Sequence, residues 1–274
     1  MKRFDADTIR AWFDGQLLPD DQVRVMSNIN KLFPSATISR GDSASPLPRS
    51  SRCLGNVSIE TDGNAYDLFD YLALNRVVGL LILKNGEIVQ ETYQLGLTPD
   101  TRWASGSMAK SITSTLAGVA LAEGKIRSLD DQIIGYLPQL MGSAYDGVTV
   151  RQILQMRSGA AWDETYADSK SDRRRLLEIH FSQRPERFLD FMSKLPRQSE
   201  PGTRFHYSTG ETTWSERSWP RRPASPCRAT CPKKSGDRWA WRQTLRGGCF
   251  IPVSRQPEEA LPRRCATMVA SASS

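Results

Sequence analysis

The sequence lacks any long apolar run. Its first residues, MKRFDADTIRAWFDGQLLPDD, alternate charged and apolar side chains and contain no continuous apolar core of the kind that secretory signals carry. No stretch further along approaches the roughly 20 apolar residues that a membrane-spanning helix needs. These absences predict a soluble cytoplasmic chain without a membrane partner.

Cysteine is scarce in the part of the chain that could form a core. Only Cys53 falls within residues 1–211, so disulfides are not expected to organise that part. The remaining cysteines lie beyond residue 212, where no histidine accompanies them and their spacing fits no strong zinc template. They are Cys227, Cys231, Cys249 and Cys265. Neither a metal site nor another cofactor is therefore expected.

Most of the chain carries no net positive charge. The whole sequence carries a formal charge of +7, but residues 1–211 hold 25 Lys and Arg against 26 Asp and Glu, whereas residues 212–274 hold 12 against 4. Such a change of composition marks a boundary. We expect an N-terminal extension over residues 1–65, a folded domain over residues 66–211 and a basic tail over residues 212–274.

Two interpretations of the tail stay open. Its arginines, tryptophans and cysteines are compatible with a module that contacts nucleic acid, in which case the chain would be a non-catalytic binding protein. The same residue types, with proline and serine, are also what a GC-rich coding sequence yields when it is read out of frame. We favour the second interpretation, in which a frameshift near codon 212 left a disordered tail and nucleic acid is not a partner.

Before the tail, the sequence predicts one β-hairpin and several helices. Asn85-Gly86 separates the apolar run Val77–Leu83 from the extended run Ile88–Leu95, the strongest short-range signal for a β-hairpin. Helical spacing predicts helices near residues 20–32, 66–76 and 149–159 and two more between residues 171 and 195. In the first of these last two, the run Arg173–Arg175 is expected to form a solvated face.

The central stretch is SGSMAKSITSTLAGVALAEG, residues 105–124, which predicts a core helix. Ile112, Leu116, Val119, Ala120 and Leu121 are its expected buried face. Ser107 and Lys110 lie three residues apart in the first turn, so hydroxyl and amine can meet on one face. They are a candidate nucleophile and base, and the plainer interpretation is a helix start beside a surface lysine.

Two segments later in the chain also contain candidate site residues. AAWDETYAD, residues 160–168, is a loop of aromatic and acidic residues of the kind that lines pockets, and FHYSTGET, residues 205–212, places Tyr207 in a turn. With VVGLLILKNGEIVQETYQLG, WASGSMAKSITSTLAGVALAEGKI and YDGVTVRQILQMRSG, the chain resembles serine hydrolases related to class C β-lactamases and penicillin-binding proteins. The resemblance is greatest to the 6-aminohexanoate-dimer (nylon oligomer) hydrolases.

This resemblance implies a fold and a set of roles. The fold would be α+β, β-lactamase/transpeptidase-like, with a helical domain and an antiparallel sheet. Ser107 would be the acylated nucleophile, Lys110 the group that takes its proton, and Tyr207 the phenol that passes a proton to the leaving group. Tyr166 and Thr209 would contact a small amide or ester substrate.

The resemblance ends near residue 212. Relatives continue with an apolar helix and a Lys-Thr-Gly or His-x-Gly motif, neither of which follows here. That motif lies on a strand that supplies the second oxyanion donor, so its loss predicts an incomplete sheet and weak or no activity.

Overall fold

The computed structural model describes residues 6–31, 46–52, 54–182, 184 and 186–218. In chain order its elements are α1 (Ala6–Phe13), α2 (Pro19–Met26), β1 (Ile59–Thr61), β2 (Asn64–Tyr66), α3 (Leu68–Leu74), β3 (Gly79–Lys84), β4 (Glu87–Tyr93), α4 (Met108–Ala122), α5 (Val150–Leu154), α6 (Asp172–Phe181), α7 (Glu186–Ser193) and α8 (Thr209–Ser218), with short 3-10 turns at Ile29–Lys31, Ile133–Gly135 and Pro138–Leu140. The helices predicted from spacing are all present. Among the described helices, none is both long and apolar enough to cross a bilayer.

The predicted hairpin forms as β3 and β4. The strands pair antiparallel from Gly79 opposite Tyr93 to Lys84 opposite Glu87, and Asn85 and Gly86 both take positive φ, as a tight hairpin turn requires. In the described part of the chain each sheet has two strands, and a single parallel bridge from Arg49 to Ile88 flanks β4. The outer edge of β3 therefore meets no further strand among these residues.

The core lies among the helices. One buried cluster joins residues of α4, α5, α6 and α7 with the connecting segments, and its largest fully buried side chains include Tyr145, Phe188, Leu140 and Met192. Helix α5 starts with a capping box, in which the Thr149 hydroxyl accepts from the backbone of the third helical residue and that residue's side chain returns the bond. This local signal explains why the helix begins where the sequence predicts it.

The buried face of α4 differs from the expected one. Ile112, Leu116, Val119 and Leu121 are half-buried, whereas Thr113, Ala117 and Ala120 are buried. Small side chains at spacings of four and three residues let α4 approach its neighbours closely. The spacing of apolar residues predicts a buried face made mostly of larger side chains. Of the predicted residues, only Ala120 is buried.

The N-terminal helices are attached to the domain rather than extended from it. The Arg10 guanidinium donates to both carboxylate oxygens of Glu178 at 2.8 and 2.9 Å, and the backbone N–H of Ala104 donates to the Met26 carbonyl at 2.9 Å. Ile29 and Ala104 are buried together. This segment therefore contacts the chain immediately before the central helix.

The solvated face predicted for Arg173–Arg175 is wrong for two of its three residues. Arg173 and Arg174 are 8% and 9% exposed, and only Arg175 is exposed. Arg174 donates to the buried Asp14 carboxylate, and Arg173 donates to the Phe13 carbonyl at 2.7 Å. Helix α1 supplies partners that the local sequence of α6 does not contain.

The predicted boundary at residue 211 falls inside a helix. Helix α8 begins at Thr209 and continues to Ser218, so it crosses from the predicted domain into the predicted tail. The described residues exclude Cys53 and residues 219–274, which contain the four tail cysteines. Both interpretations of the tail therefore concern residues that the structure does not describe.

Candidate active site

Ser107 lies at the N-terminus of α4. Gly106 has φ +52, and Ser107 follows as the N-cap residue with φ −69 and ψ −8. A serine at this position usually caps the helix with its hydroxyl, but here no side-chain cap is formed. The hydroxyl is instead directed to two other side chains.

The structure brings Ser107, Lys110 and Tyr207 together. Lys110 Nζ donates to Ser107 Oγ at 3.1 Å, and the Tyr207 hydroxyl donates to the same oxygen at 2.9 Å. Lys110 Nζ also lies 5.1 Å from the centroid of the Tyr207 ring, within the range of a cation–π contact. Residues one helical turn apart thus meet a third that comes 100 positions later.

The turn that carries Tyr207 is fixed to the segment after α5. The backbone N–H of His206 donates to the Met156 carbonyl at 2.9 Å, and a ring nitrogen of His206 lies 2.6 Å from the Trp162 carbonyl. The backbone N–H of Gly202 donates to the Arg157 carbonyl at 2.7 Å. These bonds hold the turn against the segment from Met156 to Trp162, which leads into the loop of aromatic and acidic residues.

Thr209 is engaged within the protein. Its backbone N–H donates to Glu164 Oε2 at 3.0 Å and its hydroxyl donates to Glu164 Oε1 at 2.6 Å. The carboxylate therefore caps the start of α8, where backbone N–H groups and the helix dipole favour a negative charge. The hydroxyl predicted to contact substrate is the one that anchors this helix.

Tyr166 is half exposed at the rim of the site. The guanidinium carbon of Arg173 lies 3.9 Å from its ring centroid and 3.6 Å from that of Phe13, so the arginine is held between two rings. Burial and the neighbouring Glu164 carboxylate raise the pKa of Tyr166, and the Tyr207 phenol contributes in the same direction, while Arg173 opposes the rise.

Glu211 is a buried carboxyl that sequence reasoning missed. It is 2% exposed, it accepts a hydrogen bond from the Ser158 hydroxyl, and its Oε2 has no hydrogen-bond partner among the described residues. Burial raises its pKa to about 8, and the Ser158 bond only partly opposes this. An acidic residue in the first turn of a helix usually faces solvent, so only the tertiary packing of α8 reveals it.

A cleft of about 200 Å³ opens beside Lys110. Its lining combines α4 hydroxyl residues with apolar side chains of α5 and the start of α8, namely Lys110, Ser111, Thr113, Ser114, Ile153, Leu154, Met156, Glu211 and Thr212. Across the described ranges, no group of His, Cys, Asp and Glu side chains has the arrangement of a metal site. The reactive groups that meet at Ser107 are a hydroxyl, an amine and a phenol.

Comparison with known proteins matches the part of the chain that carries these residues. The family model described as Beta-lactamase matches residues 74–214, just over half of the 274 residues. The chain belongs to the β-lactamase family. The matched part contains Ser107, Lys110 and Tyr207 and ends within α8.

Relatives of known name cover the same part of the chain. The 6-aminohexanoate-dimer hydrolase of Paenarthrobacter ureafaciens is 32% identical over 146 residues, which are 53% of this chain and 36% of that protein. A β-lactamase of Pseudomonas fluorescens is 32% identical over 80 residues, 27% of this chain and 22% of that protein. The chain thus spans about a third or less of the length of these β-lactamase-family relatives.

One solved structure supports the fold over a longer span. A Bacillus anthracis protein assigned as a 6-aminohexanoate-dimer hydrolase superposes with a TM-score of 0.63 at 17% sequence identity, covering 73% of this chain and 55% of that one. This likeness confirms the predicted α+β, β-lactamase/transpeptidase-like fold, present here in part.

Proposed function

We propose that this protein is a serine hydrolase that cleaves amide or ester bonds through an acyl-enzyme on Ser107. The observation that supports this most is the position of Ser107 Oγ, within hydrogen-bond reach of both Lys110 Nζ and the Tyr207 hydroxyl. A serine hydroxyl is a weak nucleophile until a neighbouring base accepts its proton. The family and the names of its relatives support the same reaction class.

Each of the three side chains has one task in this mechanism. As Ser107 Oγ forms a bond to the substrate carbonyl carbon, its proton passes to the Lys110 amine. Tyr207 then delivers a proton to the departing amine or alcohol as the scissile bond breaks, and Lys110 passes the serine's proton on to the Tyr207 oxygen, which leaves the acyl group on Ser107. In the second half, Tyr207 and Lys110 take a proton from the attacking water and return it to Ser107 Oγ as the ester bond breaks, and the acid is released.

The start of α4 contributes to charge stabilisation in the transition state. Ser107 lies where free backbone N–H groups and the positive end of the helix dipole favour an anion. The backbone N–H of Ser107 is the proposed first oxyanion donor. We propose that turnover is weak, because residues 213–274 contain no Lys-Thr-Gly or His-x-Gly motif to supply a second donor.

The substrate we propose is a small amide or ester. The cleft beside Lys110 adjoins the site, since Ser107 and Tyr207 are not among its lining residues, and its apolar side chains Ile153, Leu154 and Met156 would contact the acyl part of a substrate held at Ser107. Tyr166 is exposed, and we propose that it contacts the substrate amide. The name of the Paenarthrobacter ureafaciens relative suggests oligomers of 6-aminohexanoate as a first substrate to try.

Hydrolysis of a p-nitrophenyl ester tests this function. We expect a slow release of p-nitrophenol above the buffer rate, and we expect Ser107→Ala and Lys110→Ala to remove about 99% of it or more, because removal of a nucleophile or general base costs at least about a hundredfold. Tyr207→Phe should lower this rate less than it lowers the rate with an alkyl amide, because p-nitrophenolate departs without a proton whereas an amine needs one. Ser193→Ala, which removes a hydroxyl on α7 that bonds only the Asp190 carbonyl of its own helix among the described residues, is the matched control and should retain the activity. Equal rates in wild type and Ser107→Ala would contradict the assignment.

A further inference from the structure

The Glu164 carboxylate connects the acidic loop to the start of α8. It accepts the Thr209 backbone N–H at 3.0 Å on Oε2 and the Thr209 hydroxyl at 2.6 Å on Oε1, and the Trp162 indole N–H also donates to Oε2. Hydrogen bonds to a charged acceptor are about twice as strong as neutral ones. Both oxygens are thus occupied by groups of the protein.

Tyr207 lies between two anchored neighbours. On its N-terminal side, a ring nitrogen of His206 lies 2.6 Å from the Trp162 carbonyl. On its C-terminal side, Thr209 is bound to Glu164, two residues from Trp162 in the same loop. The position of the phenol relative to Ser107 is therefore set by this loop.

A fixed cation stands beside the carboxylate. Arg173 Nε lies 3.9 Å from Glu164 Oε1, and the guanidinium is buried between the rings of Phe13 and Tyr166. The positive end of α8 lies on the other side. Charge complementarity from both directions favours one position of the Glu164 side chain.

We propose that Glu164 is a positioning residue for the hydrolase reaction, and that its bond to Thr209 holds the Tyr207 hydroxyl against Ser107 Oγ. The proposal rests on the proposed function, since it assigns Glu164 to the same site. Glu164 itself does not touch the reacting atoms in this arrangement. Its loss should slow bond formation at Ser107 much more than it weakens binding of the reagent, because small misplacements of a reacting group are costly in rate.

Labelling of the full chain with a fluorophosphonate tests this proposal. In this reaction the Ser107 oxygen forms a bond to phosphorus, its proton passes to Lys110, and Tyr207 protonates the fluoride as the P–F bond breaks. Concentration dependence separates the maximal rate, kinact, from the binding constant KI. We expect Glu164→Gln to lower kinact by about tenfold or more while KI stays within about twofold, because the amide nitrogen of Gln cannot accept a hydrogen bond. Glu200→Gln, which neutralises an exposed carboxylate of the same domain, should match the wild type.

Variants of Thr209 identify the contact through which Glu164 acts. Thr209→Val removes the hydroxyl bond and should lower kinact, whereas Thr209→Ser keeps the bond and should restore it. In a double-mutant cycle, Glu164→Gln with Thr209→Val should lower kinact no further than the more severe single variant, since both remove one interaction. Additive losses, or losses confined to KI, would overturn the proposal and assign Thr209 to direct substrate contact. If Glu164→Gln does not fold, Thr209→Val and Thr209→Ser decide the question alone.

Amide hydrogen exchange provides a test that does not depend on reactivity. The Thr209 amide should exchange about tenfold faster or more in Glu164→Gln, because its acceptor is weakened, while amides of α5 exchange as in the wild type. Unchanged exchange at Thr209 would overturn the proposal. A wild type that gains no label would contradict the proposed function, and the exchange rates would still decide whether Glu164 anchors this turn.

Discussion

At the scale of the residue, the site depends on what each polar group contacts. Ser107 and Lys110 were placed together by spacing within one helix, and the structure shows their contact at 3.1 Å. Tyr207 needed the fold, because its contact spans 100 positions. Sequence order suggested it only through a resemblance to known hydrolases, and the roles of all three remain proposals that the ester assay tests.

The residues that the sequence did not reveal have partners far away. Glu164 is bound to Thr209, 45 positions later, and Glu211 is bound to Ser158, 53 positions earlier. No local pattern distinguishes such carboxyls from exposed ones. Thr209 shows the same limit, since its hydroxyl was assigned to substrate and is bound to Glu164.

Glu211 makes folding stability depend on pH. Its folded-state pKa is raised from 4.5 to about 8, so between these values the folded protein holds a proton that the unfolded chain has released. The stabilisation from this group is complete below about pH 4.5 and is lost as pH rises through about 8. The loss is on the order of 5 kcal/mol, since one pKa unit corresponds to about 1.4 kcal/mol.

Glu211→Gln should remove this dependence while keeping a partner for Ser158. We expect the variant to unfold at the same denaturant concentration as the wild type near pH 4.5 and at a higher one at pH 8. Urea melts across this range measure it, with Glu200→Gln as the control that leaves the pH slope unchanged. An identical slope in Glu211→Gln and wild type would show that Glu211 is not the group responsible.

At the scale of the element, the sequence predicts where turns and helix caps lie, but it does not predict which face of a helix is buried. The Asn85-Gly86 turn and the Thr149 cap both lie where the sequence predicts them, because their signals are local. The buried face of α4 depends on which neighbours approach, and close packing selected Thr113 and Ala117 over larger residues. Arg173 and Arg174 are buried for the same reason, since their partners lie on α1.

The connection between α5 and the acidic loop depends on Gly159. Its φ is +80, and a Cβ there would lie 2.0 Å from the Ser199 carbonyl oxygen, a backbone atom that cannot move aside easily. Gly159→Ala should therefore lower the free energy of unfolding by about 3 kcal/mol or more, the sum of backbone strain and displaced packing. Thermal or urea unfolding measures this.

Gly118→Ala is the matched control for this substitution. Gly118 lies within α4, its added Cβ meets nothing within 4 Å, and its φ is not positive. The substitution should raise stability by about 1 kcal/mol through helix propensity. Equal effects of the two substitutions would contradict the close contact at Gly159.

At the scale of the whole molecule, the N-terminal helices are part of the folded unit. The sequence predicted residues 1–65 as an extension because their composition is mixed and polar. The structure instead binds α1 to α6 through Arg10 with Glu178, and Asp14 with Arg174. Contacts between segments 160 or more positions apart have no signature in the sequence of either segment.

Asp14→Ala tests this attachment. Asp14 is 9% exposed, and its removal leaves the buried Arg174 guanidinium with only Glu178 at 3.3 Å. Loss of one partner of a buried ion pair is strongly destabilising, so we expect a loss of about 3 kcal/mol in the free energy of unfolding. Asp7→Ala, which removes an 88% exposed partner of Arg10, should change it by less than about 0.5 kcal/mol. Similar small effects for both would show that α1 is not held by this pair.

The central claim is that Ser107 is a nucleophile activated by Lys110 and Tyr207. Intact-mass and peptide-mapping mass spectrometry after exposure to a fluorophosphonate tests it most directly. The account predicts one adduct, located on Ser107, that is absent from Ser107→Ala and forms about a hundredfold more slowly in Lys110→Ala. A folded wild type that stays unlabelled, or an adduct on another serine, would contradict it.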